Sequence, residues 1–532
     1  MTNWLAGRLV RLRVRRLIQQ KRYEEALNVL NSAFGASPCN PYVLAHAAYC
    51  HCELGHHEEA LALLDRVLQA KPDYAWAHGH VGRCYQELGR DREALESLTR
   101  AVRISKASRS KLHDLENWLQ HLGRLQAKLG DPEKAIESFE AAIKIKLSAH
   151  TYSSLGSVLG ELGKYEDALC AYERAVNLSP KDAEAHYGVG WALCNVGRHE
   201  DAIQSLKTAL RLNPKHTKAL SSTAMAEVEL GRFAEALSCM EQAVSVDPSD
   251  AESRFGLGVV LAWLRRFRES ADAYIEAIRL RPDYADAYFN LGVAYGELGK
   301  KEEEREAYRK AVELNPADGK AWSDLGVSYS GLAQYDLAVE AFRRALELQP
   351  EDLRIFVSLG YVYGQQQRYD EAIETYLKAP SLLPEIPEAS CHLSWCYYQA
   401  KQYEEGLRWV EKALLVQPDN TEALVMKGII LGAMGQYDAA LVCYKRAAEI
   451  SPQMMEAHAN IGDAYVEMGR SGDAVPSLKR ALELRPDEPE AHYLLGVAYF
   501  RLGNLDDARE QCRILKRLGS SKEQELTKLL SE

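Results

Sequence analysis

The sequence predicts an all-α fold, a solenoid built from repeated helical hairpins, and two observations support this. Proline recurs every 34 residues in an unbroken series from Pro180 to Pro486. Between successive prolines, apolar and small residues stand three and four apart, as they do on one face of a helix. Hydrophobic residues make up 47% of the 532 positions and charged residues 27%, which is ordinary for a globular protein. A repeat also removes the need for one large core, because each unit contacts only its neighbours.

Residues 319–352 carry the repeated pattern most completely. The first half predicts a helix, here called helix A, with a tryptophan, a leucine, a glycine and a tyrosine on one face. A turn centred on Ala333 leads into helix B, on which small residues and a phenylalanine share a face. Pro350 ends helix B because proline fixes φ and lacks a backbone donor. The face residues are Trp322, Leu325, Gly326 and Tyr329 on helix A, and Ala338, Phe342 and Ala345 on helix B.

The spacing Trp-x2-Leu-Gly-x2-Tyr, the alanine and the closing proline resemble the 34-residue tetratricopeptide repeat (TPR) over nearly the whole chain. The resemblance implies a right-handed α-solenoid, or superhelix, of 15 TPR helix-turn-helix repeats, followed by a C-terminal capping helix. The array is similar in length to the TPR region of O-GlcNAc transferase, but we expect no catalytic domain here. With the proline as position 32, the repeats begin at residues 7, 41, 75, 116, 149, 183, 217, 251, 285, 319, 353, 387, 421, 455 and 489.

The proline spacing also predicts the domain boundaries. Pro72 and Pro180 are 108 residues apart, six more than three repeats, so one segment between them is irregular. We expect TPR repeats 1–3, with a basic N-terminal helix, in residues 1–108, and an irregular insert at 109–115. Repeats 4–15 then occupy residues 116–520, and the capping helix occupies 521–532.

Charge and hydropathy exclude several classes of function. The net charge of −11 argues against general nucleic-acid binding, and no run of 18 apolar residues predicts a transmembrane helix. Residues 1–23 carry seven positive charges and no negative charge. One interpretation is a degenerate N-terminal cap, because terminal repeats are atypical. The alternative is an amphipathic basic helix that contacts a membrane surface or serves as a targeting segment.

Neither a cofactor nor a catalytic site is expected. The eleven cysteines include no Cys-x-x-Cys. We interpret several on helix B as small buried apolar residues in a reducing compartment, which predicts a cytoplasmic location; these are Cys170, Cys239, Cys443 and Cys512. Cys50, His51 and Cys52 are metal-ligand types, but residues i and i+2 of a helix diverge by about 200°, so no metal site is predicted. The phosphate-loop and His-Glu-x-x-His motifs are absent from the sequence, so we expect no enzyme activity.

By the resemblance, positions 2, 5, 6, 9, 12 and 13 of helix A face a concave groove. Near the N-terminus this places three histidines at position 6 and two arginines at position 9, which predicts a basic groove for acidic partners. The histidines would titrate near neutral pH. The alternative is that these side chains are unrelated and solvated. The residues are His46, His80, His121, Arg83 and Arg124.

Aromatic residues at the same positions further along predict a peptide-binding site, because aromatic side chains anchor interfaces. The alternative is that position 9 is partly buried between adjacent repeats. Two asparagines at position 6 are all that resembles the asparagine ladder of O-GlcNAc transferase, and no repeat has the position-9 asparagine of the chaperone carboxylate clamp. The candidate residues are Trp191, Tyr361 and Trp395 at position 9, Tyr398 at position 12, and Asn290 and Asn460 at position 6.

Two functions follow as hypotheses. The first is a non-enzymatic scaffold that binds extended peptides or partner proteins in the groove. The second is a regulatory or substrate-recruiting subunit of a separately encoded enzyme such as a glycosyltransferase.

Overall fold

The structure is a computed structural model that describes residues 2–34, 40–108, 112–379, 383 and 386–531. These residues form 31 α-helices and no strand, which confirms the all-α fold. The chain divides into two compact units, Met1–Glu276 and Ala277–Glu532. None of the helices in the described part of the chain combines the length and hydropathy needed to span a bilayer.

Sixteen helices begin in the first unit, and the sixteenth continues past its boundary. They are α1 (Thr2–Gln19), α2 (Tyr23–Phe34), α3 (Pro41–Glu53), α4 (His57–Ala70), α5 (Ala75–Glu87), α6 (Asp91–Ser108), α7 (Leu112–Lys128), α8 (Pro132–Ile145), α9 (Ala149–Glu161), α10 (Tyr165–Leu178), α11 (Ala183–Asn195), α12 (His199–Leu212), α13 (Thr217–Glu229), α14 (Phe233–Val246), α15 (Ala251–Trp263) and α16 (Phe267–Leu280).

The second unit contains the remaining helices. They are α17 (Ala285–Glu297), α18 (Lys301–Leu314), α19 (Gly319–Gly331), α20 (Tyr335–Leu348), α21 (Leu353–Gln365), α22 (Tyr369–Tyr376), α23 (Pro387–Gln399), α24 (Tyr403–Val416), α25 (Thr421–Ala433), α26 (Tyr437–Ile450), α27 (Met455–Glu467), α28 (Ser471–Leu484), α29 (Pro489–Arg501), α30 (Leu505–Arg517) and α31 (Lys522–Ser531).

Odd-numbered helices from α1 to α29 are the helices A of repeats 1–15, and the even-numbered helices are their helices B. In both units a helix packs mainly on its neighbours in the chain. Among the described residues, substantial contacts between helices two apart, such as α11 with α13 or α23 with α25, join odd-numbered helices. The helices A therefore lie closer together than the helices B, on the inner side of each stack.

Every hairpin turns at position 15 of its repeat through a residue with positive φ. Ten of these residues are glycines, and the others are Lys21, Arg265, Ala333, Gln367 and Lys401, with φ between 57° and 60°. In the turn predicted around Ala333, the Gln334 N–H donates to the Tyr329 carbonyl at 2.9 Å. This six-to-one hydrogen bond closes the end of helix A in a Schellman motif. The regular turn confirms the predicted series of 15 repeats.

Small residues on helix A allow helix B to approach, as the motif predicts. A Cβ atom built on Gly326 would lie 2.8 Å from the ring of Phe342, closer than ordinary van der Waals contact. Phe342 is only 1% exposed, so its ring fills the space beside the glycine backbone. The Tyr376 ring packs in the same way on Gly360 in the next repeat.

The prediction of an irregular segment at residues 109–115 is partly wrong. Residues 109–111 lie outside the described residues, but α7 begins at Leu112, so residues 112–115 are helical. The helix begins this early because Leu115, Leu119 and Leu122 form one buried apolar face of a continuous helix. Pro384, a member of the 34-residue proline series, also lies outside the described residues.

Both ends of the array pack as helices. Val14 and Leu17 of α1 are buried, while the side chains of residues 2–9 and 11 lie outside the description. At the other end, Leu526 of α31 is fully buried and packs against Gly496 of α29. This contact confirms the predicted C-terminal capping helix.

Candidate functional site

Clefts open on the helix A surface of the described residues, and in three of them side chains at positions 2, 5, 6, 9, 12 and 13 supply most of the lining. The first unit holds two of them. The Arg124 cleft, of about 350 Å³, includes Lys128 and Glu161, and the Trp191 cleft, of about 880 Å³, includes Met225. The second unit holds the Trp395 pocket, of about 320 Å³.

His80 does not contribute charge to the N-terminal groove. Its ring is only 5% exposed and lies 4.1 Å from Trp76, 5.2 Å from Trp118 and 5.4 Å from Tyr49, measured between ring centroids. Burial among these rings, with Arg83 nearby, lowers the pKa of His80 to about 3. The prediction that this histidine titrates near neutral pH is therefore wrong, because the surrounding rings exclude the water that would stabilise the imidazolium.

The other two histidines do not form a charged row with it. Burial, reinforced by the positive charge of Arg124, lowers the pKa of the half-buried His121 to about 4. His46 directs its Nδ1 at the Tyr42 carbonyl, 2.9 Å away in the same helix. The predicted histidine row thus includes two members that are neutral at physiological pH.

The two arginines differ in their surroundings. Arg83 lies 2.5 Å from a carboxylate oxygen of Glu53 on the preceding helix A, and both side chains are largely buried. This ion pair offsets the charge of Arg83. Arg124 is exposed and makes no ion pair with the described residues, but Lys128 beside it pairs with Asp91 at 2.8 Å. The N-terminal surface is therefore less basic than the sequence predicts.

Trp191 and Trp395 share one packing arrangement, 204 residues apart in the sequence. Trp191 lies against Gly160 of the preceding repeat and meets the Tyr165 ring edge-on at 5.8 Å. Trp395 lies beside Gly364 and meets the Tyr369 ring edge-on at 5.4 Å.

Both tryptophans are half-buried and also line a cleft. Both interpretations of position 9 therefore apply to these residues, since each ring packs between repeats and faces a cleft.

The Trp191 cleft has a mixed polar and apolar lining. Trp191 and the 41%-exposed Met225 supply its large apolar side chains together with the Tyr187 ring. Lys218 and Glu229 are among the charged side chains that surround them. The cleft therefore offers apolar contacts and charges of both signs.

The Trp395 pocket has an apolar floor and an acidic rim. Helices α23 and α25 supply most of it, with contributions from the end of α21 and the start of α27. The floor consists of Cys391, Trp395, Val425, Met426, Ile429 and Met454, and the polar lining consists of Gln365, Glu388, His392, Glu422 and Glu456.

The remaining predicted residues lie in the second unit and do not all meet at this pocket. Tyr361 is 38% exposed and contacts the pocket residue His392 edge-on, with ring centroids 4.9 Å apart. Tyr398 packs toward the Tyr403 ring at 5.9 Å, outside the pocket lining. Asn290 donates from its side chain to the Asp286 carbonyl at 2.8 Å, so its amide is engaged within its own helix.

Sequence reasoning missed the acidic rim. Glu388, Glu422 and Glu456 occupy position 2 of three consecutive repeats. Position 2 is one of the positions expected to face the groove. Comparing this position in consecutive repeats would therefore have indicated an acidic surface.

Cys52 and Cys84 lie face to face between repeats 2 and 3. Both are buried, and their sulfurs are 3.0 Å apart. Cys170 is exposed instead, so the prediction that it is buried is wrong. Cys50, two residues before Cys52, lies in a different buried cluster with Leu17 and Ala26. Within the described residues, no group of three or more His, Cys, Asp or Glu side chains has the geometry to hold a metal ion.

Stacked helical hairpins with clefts on their inner helices define a repeat solenoid of the protein-binding class. Models of the tetratricopeptide repeat match residues 17–73, 264–319, 323–385, 428–469 and 459–523. Residues 76–288 also match the model of the cilia and flagella-associated protein 70 C-terminal domain. The chain belongs to the tetratricopeptide-repeat proteins. Repeats of this family bind other proteins, so the chain is a protein-interaction scaffold in this general sense.

A comparison with curated proteins finds no match. Among solved structures, Cut9 with Hcn1 from the APC/C is 17% identical, with a TM-score of 0.42, and the match covers 92% of this chain and 96% of that one. Naa15/Naa10 bound to HypK is 16% identical, with a TM-score of 0.37 and coverage of 99% and 96%. YrrB, described as a TPR protein with an unusual peptide-binding site, is 27% identical, with a TM-score of 0.29 and coverage of 35% and 96%.

Proposed function

We propose that the chain is a non-enzymatic scaffold that binds extended segments of partner proteins along its helix A surface. The observation that carries this proposal is the lining of the clefts. In each unit, helices A from consecutive repeats supply most of the side chains around a cleft that contains a tryptophan. Such a surface suits an extended peptide that runs across several repeats of one unit and places a side chain in the cleft.

The Trp191 cleft supports this function in the first unit. Its volume of about 880 Å³ lies within the range of about 300–1,000 Å³ that is typical of ligand sites. Trp191 is held by its contact with Gly160, so binding costs little side-chain entropy at this residue. Met225 is flexible and polarisable, and methionine adapts to irregular partner surfaces. The polar groups around them can hydrogen-bond a peptide backbone.

The test is selection of peptides from a phage-displayed random library on the purified full-length chain, followed by measurement of their affinity by fluorescence polarisation. The substitution Met225→Glu places a charge on the apolar side of the cleft and should weaken binding of a class of selected peptides at least tenfold. Leu178→Glu is the matched control, because Leu178 is 45% exposed but lies on helix B. Failure to select any peptide, or equal effects of the two substitutions, would contradict the proposal.

The second candidate, a subunit that recruits substrates to a separately encoded enzyme, uses the same surface. It differs in requiring a stable enzymatic partner. Co-purification of one enzyme at fixed stoichiometry, retained through size-exclusion chromatography, would support it. Weak and varied peptide partners would favour the general scaffold.

A further inference from the structure

The Trp395 pocket differs from the Arg124 and Trp191 clefts in having acidic side chains but no lysine or arginine in its lining. Glu388 and Glu422 lie 34 residues apart in the chain, at the same position of consecutive repeats, and both are exposed at the pocket. Neither carboxylate makes a hydrogen bond or an ion pair with any described residue. Glu456, the third member, is paired with Arg485 at 3.0 Å. The rim therefore carries two carboxylates whose charge no described side chain neutralises by direct contact.

The histidine in the pocket lining does not compensate this charge. His392 lies between the two carboxylates in the chain and lines the same pocket, with its ring against Tyr361. Burial lowers the pKa of His392, and the opposing influence of Glu422 and Glu388 is smaller. The imidazole is neutral at physiological pH, and the pocket keeps a negative rim.

The floor below this rim is apolar and is preorganised for binding by its packing. Trp395 is held by the edge of the Tyr369 ring and by the close passage of Gly364. Met426 and Val425 are both less than 10% exposed and complete the floor from the next repeat. The volume of about 320 Å³ is at the lower end of the range for ligand pockets, which suits one side chain better than a whole ligand.

An apolar floor below two carboxylates matches one type of protein side chain. Lysine and arginine combine an aliphatic stem, which packs on apolar surface, with a cationic end that stays at the polar edge. A cation near a tryptophan ring also gains from the negative face of the ring. Acidic side chains would be repelled by the rim, and a purely apolar side chain would leave the two carboxylates without a partner.

We propose that the Trp395 pocket binds a lysine or arginine side chain of an extended partner segment, with its stem over Trp395 and Met426 and its charge between Glu388 and Glu422. This inference rests on the proposed peptide-binding function and names the chemistry of one subsite. The Trp191 cleft is not part of this assignment, because Lys218 lies among the four acidic residues of its lining, whereas the Trp395 pocket is lined by no lysine or arginine.

The experiment uses the peptides selected on the full-length chain. Peptides that depend on this pocket should share a lysine or arginine at one position. The double substitution Glu388→Gln and Glu422→Gln keeps side-chain size and removes the charge, and should weaken these peptides about tenfold, as expected for two partly exposed ion pairs. The matched control, Glu351→Gln with Glu404→Gln, changes the net charge equally at two exposed glutamates outside the pocket and should leave affinity within about twofold.

Replacing the peptide lysine or arginine by norleucine gives a second, independent measurement. Norleucine retains an aliphatic stem without the charge, so it should weaken binding to the native chain and have little further effect on the Glu388→Gln/Glu422→Gln variant. Selected peptides that bind well but show no basic preference, or that lose equal affinity on both variants, would overturn the pocket assignment and leave the scaffold function intact. Selection of no peptide at all would overturn both.

Discussion

A close contact between the two helices of the best-formed repeat gives a sharp prediction. Gly326 and Gly331 both belong to α19, but their surroundings differ. A Cβ on Gly326 would lie 2.8 Å from two ring atoms of Phe342, whereas a Cβ on Gly331 would meet no atom within 4 Å. We predict that Gly326→Ala destabilises the chain and that Gly331→Ala stabilises it.

The expected magnitudes follow from two opposing effects. Alanine is favoured over glycine within a helix by about 0.8–1 kcal/mol. At Gly326 this gain is opposed by overpacking, because ordinary contacts begin at 3.4 Å and the buried Phe342 ring must give way by several tenths of an ångström. Overpacking of this kind costs about 1–3 kcal/mol, so Gly326→Ala should lose roughly 0–2 kcal/mol. Gly331→Ala, at the end of the helix, should gain about 0.5 kcal/mol.

Urea unfolding followed by far-ultraviolet circular dichroism measures the difference between the two variants. Long repeat arrays can unfold in steps, so amide hydrogen exchange should accompany it and locate the change in α19 and α20. In the double variant Gly326→Ala with Phe342→Leu, leucine removes ring atoms from the contact. This double variant should therefore lose less stability than the sum of the losses in the two single variants, as measured by a double-mutant cycle. Equal stabilisation by both alanines would refute the close packing of the ring on the Gly326 backbone.

Three further predictions concern the first unit. Burial lowers the pKa of His80 from its ordinary value near 6.5, so below pH 6.5 the unfolded chain binds more protons than the folded chain. The free energy of unfolding should therefore fall as pH drops from 6.5 toward 3. His80→Phe should reduce this dependence of stability on pH in acid-unfolding curves, and an unchanged dependence would contradict the burial of His80. Iodoacetamide followed by peptide mass spectrometry should modify the exposed Cys170 rapidly in the folded chain and the buried Cys84 only after unfolding; rapid labelling of Cys84 would argue against its burial. A double-mutant cycle of Arg83→Met and Glu53→Gln should give a coupling energy of about 1 kcal/mol, since the pair is largely buried. A coupling energy of zero would mean that Glu53 does not offset the charge of Arg83.

The sequence by itself determined the repeated architecture. The fixed interval between prolines, the face formed by Trp322, Gly326 and Tyr329, and the turn at Ala333 are local features, and helices and turns depend chiefly on residues close in the chain. The turn residues Arg265 and Lys401 adopt positive φ although they are not glycines, because every hairpin of the array has the same turn.

Only the tertiary structure decided the electrostatics of the candidate sites. His80 is neutral because aromatic rings from three different helices A surround it, and Arg83 is paired because Glu53, thirty residues earlier, lies opposite. The charge and pKa of a side chain depend on its burial and on its nearest neighbours in space, and these come from adjacent repeats. Position 2 of consecutive repeats indicates the acidic residues in the sequence, but only the structure shows that Glu388 and Glu422 line one pocket with an apolar floor.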